Sequence, residues 1–386
     1  MKGELDYALS QLVEEIERLE ATRRKFGAVL EQLKDTIDLG KFPAVAINAV
    51  ENKLVSKIKP TKLSGLRIAG IDGGLIRKRF RTMDLLLTRG LAVIFQFGPK
   101  EGPSVEFYPD PFPEPNIKPV MLTMSGPELD QIASLERLAT ELRVTLSVLD
   151  EFHTDLILVD GSLFYHPRDR PSKGSVVDAK FQEIAALYKQ LYNKAKKKRT
   201  ILVGVIKDSR STRIVNILGE ILPHIIREPR VFELMQGIDY RWLLKVSRDC
   251  DLLDTFLKEG ERTFAFKYSA ELTTNTNPLA DSLLSWSSDI WVTYLKTASN
   301  DLPIRLEILT KKDSNIKQLN KALSSILPLS WQHPEYGLPT PIVEADARAR
   351  ITTNESRLVI ARLMAMSGLT YTTLEKRRSR NPFSGG

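Results

Sequence analysis

Cysteine is all but missing from this chain of 386 residues, with Cys250 standing alone. One thiol forms no intrachain disulfide and no thiolate metal cluster within a chain, and the expected compartment is the reducing cytoplasm. Histidine is almost as scarce: His153, His166, His224 and His333 are the only four, and their spacing is not that of metal ligands. A metal held here should therefore rest on carboxylate oxygen, which favours Mg²⁺ or Mn²⁺ over zinc. No apolar run approaches the roughly 20 residues that span a bilayer, and the N-terminus is charged and periodic where a signal peptide would be apolar. No membrane span or membrane partner is expected. The sequence also lacks a Gly-x-x-x-x-Gly-Lys-Ser/Thr loop, so the chain is not expected to hydrolyse ATP itself, and if it processes long DNA a motor must act in trans.

What is present is the composition of a globular protein, 42% hydrophobic and 27% charged, with a net charge of +8. A basic balance attracts polyanions, because neutralised phosphates release their counterions. The cations cluster in Lys194 to Arg199, in Arg77-Lys78-Arg79-Phe80-Arg81 and in Lys376-Arg377-Arg378-Ser379-Arg380.

Periodicity divides the chain. Residues 4–38 read as one long amphipathic helix whose seam (Leu5, Leu9, Leu12, Val13, Ile16, Leu19, Phe26, Val29, Leu30, Leu33) must pack on the core or on a second copy. A connector over 42–60 follows. Strands are expected at 66–71, 83–87, 91–97 and 105–108, the latter three as an antiparallel meander, and the proline-rich 109–119 reads as an exposed loop. A helix over 126–152 opens with the capping box of Ser125 and Glu128. It leads to a strand at 156–159, a helix at 175–198 and a strand at 200–206, an alternation that implies parallel pairing with crossover helices. Further strands are expected at 263–268, 290–295 and 304–309, with helices at 316–326 and 341–366. The fold class is α/β: a mixed sheet flanked by helices, with a long N-terminal helix. Three segments follow, a helical arm and connector over 1–60, a main domain over 61–370 and a basic tail over 371–386.

Two segments echo each other: Ile71-Asp72-Gly73-Gly74 and Val159-Asp160-Gly161-Ser162. Each places an aspartate at the expected end of an apolar, β-branched strand. A carboxylate in such surroundings requires a cation, a basic partner or water. Acidic residues ending central strands of a mixed sheet suit phosphodiester hydrolysis with two divalent ions, which needs several carboxylates at one point. The helix before Asp160 offers two more acids, Glu136 and Glu141, both flanking its apolar seam; a helical wheel leaves the choice open. Lys207, after the strand at 200–206, can serve a phosphate or pair with a carboxylate. Arg77, Lys78, Arg79 and Arg210 suit phosphate positioning without base readout. Phe80 and Tyr165 are core residues or stacking platforms for a frayed base.

In order and spacing, Gly70-Ile71-Asp72-Gly73-Gly74, Asp160-Gly161-Ser162-Leu163, Gly204 to Arg210, Gly260-Glu261-Arg262-Thr263, Pro303 to Glu307 and Pro339 to Asp346 resemble the NurA nucleases. The resemblance implies an RNase H-like core, a homodimeric toroid, and Mn²⁺-dependent cleavage of single-stranded and duplex DNA, with Mg²⁺ as a possible substitute. It also implies work beside a hexameric HerA-type ATPase in DNA end resection and double-strand break repair. Asp72 and Asp160 take the family's two aspartate positions, and the family's spacing favours Glu141 as its glutamate. One departure stands out: where the family has a tyrosine eight residues before a histidine, this chain has Leu338 and Asp346, with Tyr336 displaced by two. Aspartate can ligate a hard cation, but it cannot replace an imidazole as a neutral ligand or as a general acid near pH 7. The implied metal ligands are thus Asp72, Glu141, Asp160 and Asp346, with Lys207 completing the catalytic set. Two other functions fit the same residues, a catalytically weakened adaptor of the HerA motor and an RNase H-like nuclease acting on RNA or branched DNA.

Overall fold

The computed structural model describes residues 2–46, 48–81, 83–99, 102–121, 124–166, 169–271, 283–310, 316–368 and 370. The basic cluster at 376–380 lies outside the described residues. The chain forms two compact units, one from 1–62, 205–276 and 286–339 and the other from 63–204, 277–285 and 340–386.

The first unit begins with helix α1 (Lys2–Leu33). Its seam is covered only toward the C-terminal end: Phe26, Val29, Leu30 and Leu33 are buried, whereas Leu5, Leu9, Leu12, Val13 and Ile16 are exposed. After the one-turn helix α2 (Pro43–Ala46), strand β1 (Val55–Lys57) enters a small antiparallel sheet. This sheet also contains β8 (Glu261–Thr263), β9 (Phe266–Lys267), β10 (Ile290–Leu295) and β11 (Ile304–Leu309). The strand expected over 263–268 is thus two short strands, interrupted at Phe264 and Ala265. Helices α5 (Arg213–Ile225), α6 (Pro229–Leu234), α7 (Tyr240–Val246) and α8 (Asp249–Leu253) have no counterpart among the expected elements. Buried Asp249 ties α8 to α5 and to the sheet, accepting hydrogen bonds from the Val215 amide (3.0 Å) at the start of α5 and from the Tyr294 hydroxyl (2.8 Å) on β10. Helix α9 (Ile316–Leu329) runs one turn beyond its expected end.

The second unit holds β2 (Arg67–Arg79), β3 (Met83–Gln96), β4 (Ser104–Tyr108), β5 (Asn116–Met121), β6 (Leu156–Asp160) and β7 (Ile201–Ile206), in the order β7-β6-β2-β3-β4 with β5 also on β3. β2, β3 and β4 are successive antiparallel neighbours, and β6 lies parallel to β2 on its other side. That strand plan is RNase H-like, as expected. Three local expectations fail. The first strand does not stop at Asp72 but continues to Arg79, and the two strands expected over 83–97 are one, because thirteen residues of β2 pair continuously with β3. The segment 109–119 is not a loop throughout: Asn116–Met121 pairs with the Met83 end of β3, tolerating Pro119 at this marginal position.

Helix α3 (Gly126–Glu151) carries the Ser125/Glu128 capping box, and α4 (Asp178–Lys198) packs beside it. The final helix is two: α10 (Thr340–Ala349) and α11 (Thr353–Ser367), the second opened by a capping box between Thr352 and Glu355. Buried Arg89 on β3 explains the break. Its Nη1 donates to the Arg348 and Arg350 carbonyls at 3.4 Å, taking up acceptors at the end of α10, while Nη2 pairs with Glu355.

The Gly-rich run is packing chemistry, not turn chemistry. A Cβ on Gly70 would meet the Pro341 carbonyl oxygen at 2.0 Å, and one on Gly74 would meet that of Ala349 at 2.0 Å, so both ends of α10 lie on β2 at backbone contact. On Gly73, whose side faces the other way, a Cβ would meet Glu141 of α3 at 2.6 Å. The two helices therefore occupy opposite faces of β2. Gly74→Ala is expected to destabilise the protein by roughly 1–3 kcal/mol through overpacking, read as a lowered denaturation midpoint. Gly98→Ala, where a Cβ meets nothing within 4 Å, should be near neutral.

Candidate metal centre

Asp72 lies in the middle of β2 and is buried, Asp160 is the half-buried last residue of β6, and Asp346 is exposed on α10. One carboxylate oxygen from each falls within 4.8 Å of the others. The parallel register sets the first pair, since Ile71 stands opposite Val159. The glycine contacts set the third, because Asp346 sits between Pro341 and Ala349 on the helix that rests on Gly70 and Gly74. These three aspartates form a graded site, buried at one side and open at the other.

Glu141 approaches from α3. It is fully enclosed, and its Oε1 has no hydrogen-bond partner. Desolvation, chiefly, pushes its pKa up to about 8; Arg137 pulls the other way, and the negative charges of Asp72 and Asp160 add to the rise. Glu136, the other acid on this helix, is turned into ion pairs with Lys118 and Lys180, the latter at 2.9 Å. Burial opposes its ionisation, yet the hydrogen bonds from the two lysines hold its pKa below the usual range. An all-oxygen donor set with an orphaned buried carboxylate oxygen fits a hard divalent cation, whose charge would relieve both the crowding of the acids and the desolvation of Glu141.

The basic candidates are dispersed. Arg77 is spent on buried Asp84 and on Asp130. Arg79 is exposed, 4.0 Å from Asp130, and Lys78 is half-buried. Lys207 and Arg210 belong to the other unit, just past β7, half-buried and exposed respectively. Phe80 is a core residue, packed with Leu85, Leu87, Ile351 and Ile360, while the Tyr165 hydroxyl donates to the Asp169 carbonyl at 3.0 Å. One cation was overlooked in the sequence. Arg137, a helical turn before Glu141, places Nε 3.5 Å from Glu141 Oε1 and donates from Nη1 to the Gly73 carbonyl at 3.3 Å. The i,i+4 spacing to an acid was its only signal.

The NurA domain model matches residues 66–351. The chain belongs to the NurA family. Its NurA domain carries all three clustered aspartates together with Glu141 and Arg137. The crystal structure of the NurA nuclease from Sulfolobus solfataricus is 13% identical, covering 95% of this chain and 97% of that one with a TM-score of 0.54, which shows the shared fold. A crystal structure of NurA bound to dAMP and manganese is also 13% identical, covering 96% of this chain and 98% of that chain at a TM-score of 0.45. No curated protein matches the chain.

A carboxyl pKa raised on folding favours the protonated native state. Its stabilising contribution is complete below the ordinary value of 4.5 and is lost as pH rises through about 8. Metal-free protein should therefore lose thermal stability between about pH 5 and 8, and Glu141→Gln, which copies the neutral acid, should flatten that slope. Scanning calorimetry across this range in chelator measures it; parallel slopes in the two proteins would contradict the assignment.

Proposed function

We propose that this NurA protein is a divalent-metal-dependent deoxyribonuclease, using Mn²⁺ or Mg²⁺ to hydrolyse phosphodiester bonds in DNA. The observation that carries the reading is the convergence of Asp72, Asp160 and Asp346, with the buried Glu141 carboxyl within electrostatic reach of the first two. Asp72, Asp160, Asp346 and Glu141 would hold the ion or ions. Divalent ions bound there supply Lewis acidity toward the phosphoryl group, a lowered pKa for the attacking water and charge stabilisation of the leaving oxygen. The residues themselves do three things. The aspartates gather negative charge where the end of β6 lies beside the middle of β2, and so select a cation over a bare anion. Buried Asp72 fixes the closed side, while exposed Asp346 leaves the other side open to a bulky polymer. Glu141, which burial keeps protonated, would release its proton to solvent when a cation is held nearby.

By the family resemblance Asp346 stands where members usually have histidine, and its carboxylate lies with those of Asp72 and Asp160. That favours a working centre over a weakened structural adaptor, with a donor set more uniformly oxygen. Lys207 is assigned to the substrate phosphate or its developing charge, and Lys78, Arg79 and Arg210 to the DNA backbone. Arg77, which the sequence suits to phosphate positioning, is held by its two acidic partners in a structural role that ties β2 to β3 and α3. The wider assignment follows the family: a homodimer working in the cytoplasm beside a HerA-type ATPase in end resection and double-strand break repair. The missing phosphate loop agrees with a motor supplied in trans. No helix among the described residues is long and apolar enough to cross a membrane.

Full-length protein incubated with single-stranded and duplex DNA in Mn²⁺ should degrade both. Asp72→Asn and Asp160→Asn should each lower the rate by roughly a hundredfold or more, with melting temperature and elution volume retained. Undiminished cleavage by both variants, or by the wild type in excess chelator, would overturn the reading.

A further inference from the structure

We propose that Arg137 is a phosphate-binding residue of this site, holding the DNA backbone on the α3 side of the acids. The inference rests on the nuclease reading above and adds a residue to it. Three observations carry it. First, position: Arg137 donates to the carbonyl of Gly73, the residue after Asp72, and faces Glu141 across 3.5 Å, so its guanidinium is fixed on the α3 side of β2, one residue along the strand from Asp72. Second, availability: the side chain is 46% exposed at this otherwise enclosed point. A guanidinium has five N–H donors, and the bond to Gly73 is its one hydrogen bond among the described residues. The contact with Glu141 is too long to be another. Third, need: a polyanion approaching these acids requires a cation at the rim, and Arg77, five residues past Asp72 on β2, is consumed by Asp84 and Asp130.

Arginine suits the task because its planar fork can keep one N–H on a carbonyl while others take a phosphate in bidentate fashion. The Gly73 bond orients the fork in advance, which lowers the entropy lost on binding. A purely structural Arg137 would serve only as a counter-charge to Glu141. The two roles differ in what a change of the DNA does.

The test is fluorescence anisotropy of the full-length protein with a fluorescein-labelled single-stranded oligodeoxynucleotide, in Ca²⁺ and over a salt series. Arg137→Ala is expected to weaken binding about tenfold to a hundredfold and to reduce the slope of log affinity against log salt by about 0.7, one single-strand phosphate contact. Arg137→Lys, which keeps the charge beside Glu141 but loses the fork, should fall between. With an oligonucleotide whose backbone is methylphosphonate throughout, wild type and Arg137→Ala should bind alike. In steady-state cleavage with Mn²⁺, KM should rise more than kcat falls. The inference is overturned if wild type cleaves DNA while Arg137→Ala keeps its affinity and salt slope, or if the variant loses as much affinity for the neutral backbone. If the wild type itself cleaves nothing, the nuclease reading falls instead.

Discussion

β2 can lie between two helices at backbone distance only because Gly70, Gly73 and Gly74 have no side chains there. Alternation along the strand sends Gly70 and Gly74 toward α10 and Gly73 toward α3. Asp72, flanked by these positions, is the one residue of the stretch with a charged side chain. Its carboxylate meets Asp346 because α10 presses on the glycines either side of it, and Glu141 comes near because Gly73 leaves room. A bulkier strand would still pair with β3 and β6, but the acids would be held apart.

Convergence of this kind raises electrostatic cost, and the protein meets it unevenly. The aspartates are spread over a gradient from buried to exposed, so water can screen the outer ones. Glu141 has no such relief, and desolvation leaves it protonated up to about pH 8. Glu136, five residues earlier on the same helix, shows the alternative: two lysines reach it, and it stays ionised. Two glutamates on one helix thus reach opposite states because two lysines hydrogen-bond one, while desolvation, which Arg137 at 3.5 Å does not offset, dominates the other. The outcome is a site whose empty form stores a proton and an unsatisfied oxygen, both of which a divalent cation would resolve.

Much of the architecture was legible because it depends on local pattern. The capping box at Ser125 and Glu128 opens α3 where the sequence places it. The apolar runs at 156–159, 290–295 and 304–309 are strands for the reason they look like strands: β-branched side chains fill a sheet buried on both faces. The errors share a cause as well. Asp72-Gly73-Gly74 has the composition of a turn, yet continuous pairing of β2 with β3 outweighs that preference. The helical pattern over 341–366 hides a break that Arg89 imposes from a distant strand. Pro119 suggested a loop, but hydrogen bonding to the end of β3 draws its segment into the sheet.

The sequence by itself determined which residue types were available for chemistry. One cysteine and four histidines rule out a thiolate cluster and leave carboxylates as the natural metal donors, and the ordered motifs identify the family. Asp72 and Asp160 could be paired on paper because each closes an apolar, β-branched run and is followed by glycine. Tertiary structure decided the rest. Whether Glu136 or Glu141 faces the acids depends on which side of α3 meets lysines and which meets Gly73, a rotation that spacing does not encode. Asp346 joins the cluster through contacts between α10 and β2, some 270 residues apart in the chain. Arg77 and Arg137 exchange prominence for the same reason: a charge is free or spent according to the neighbours that folding brings to it.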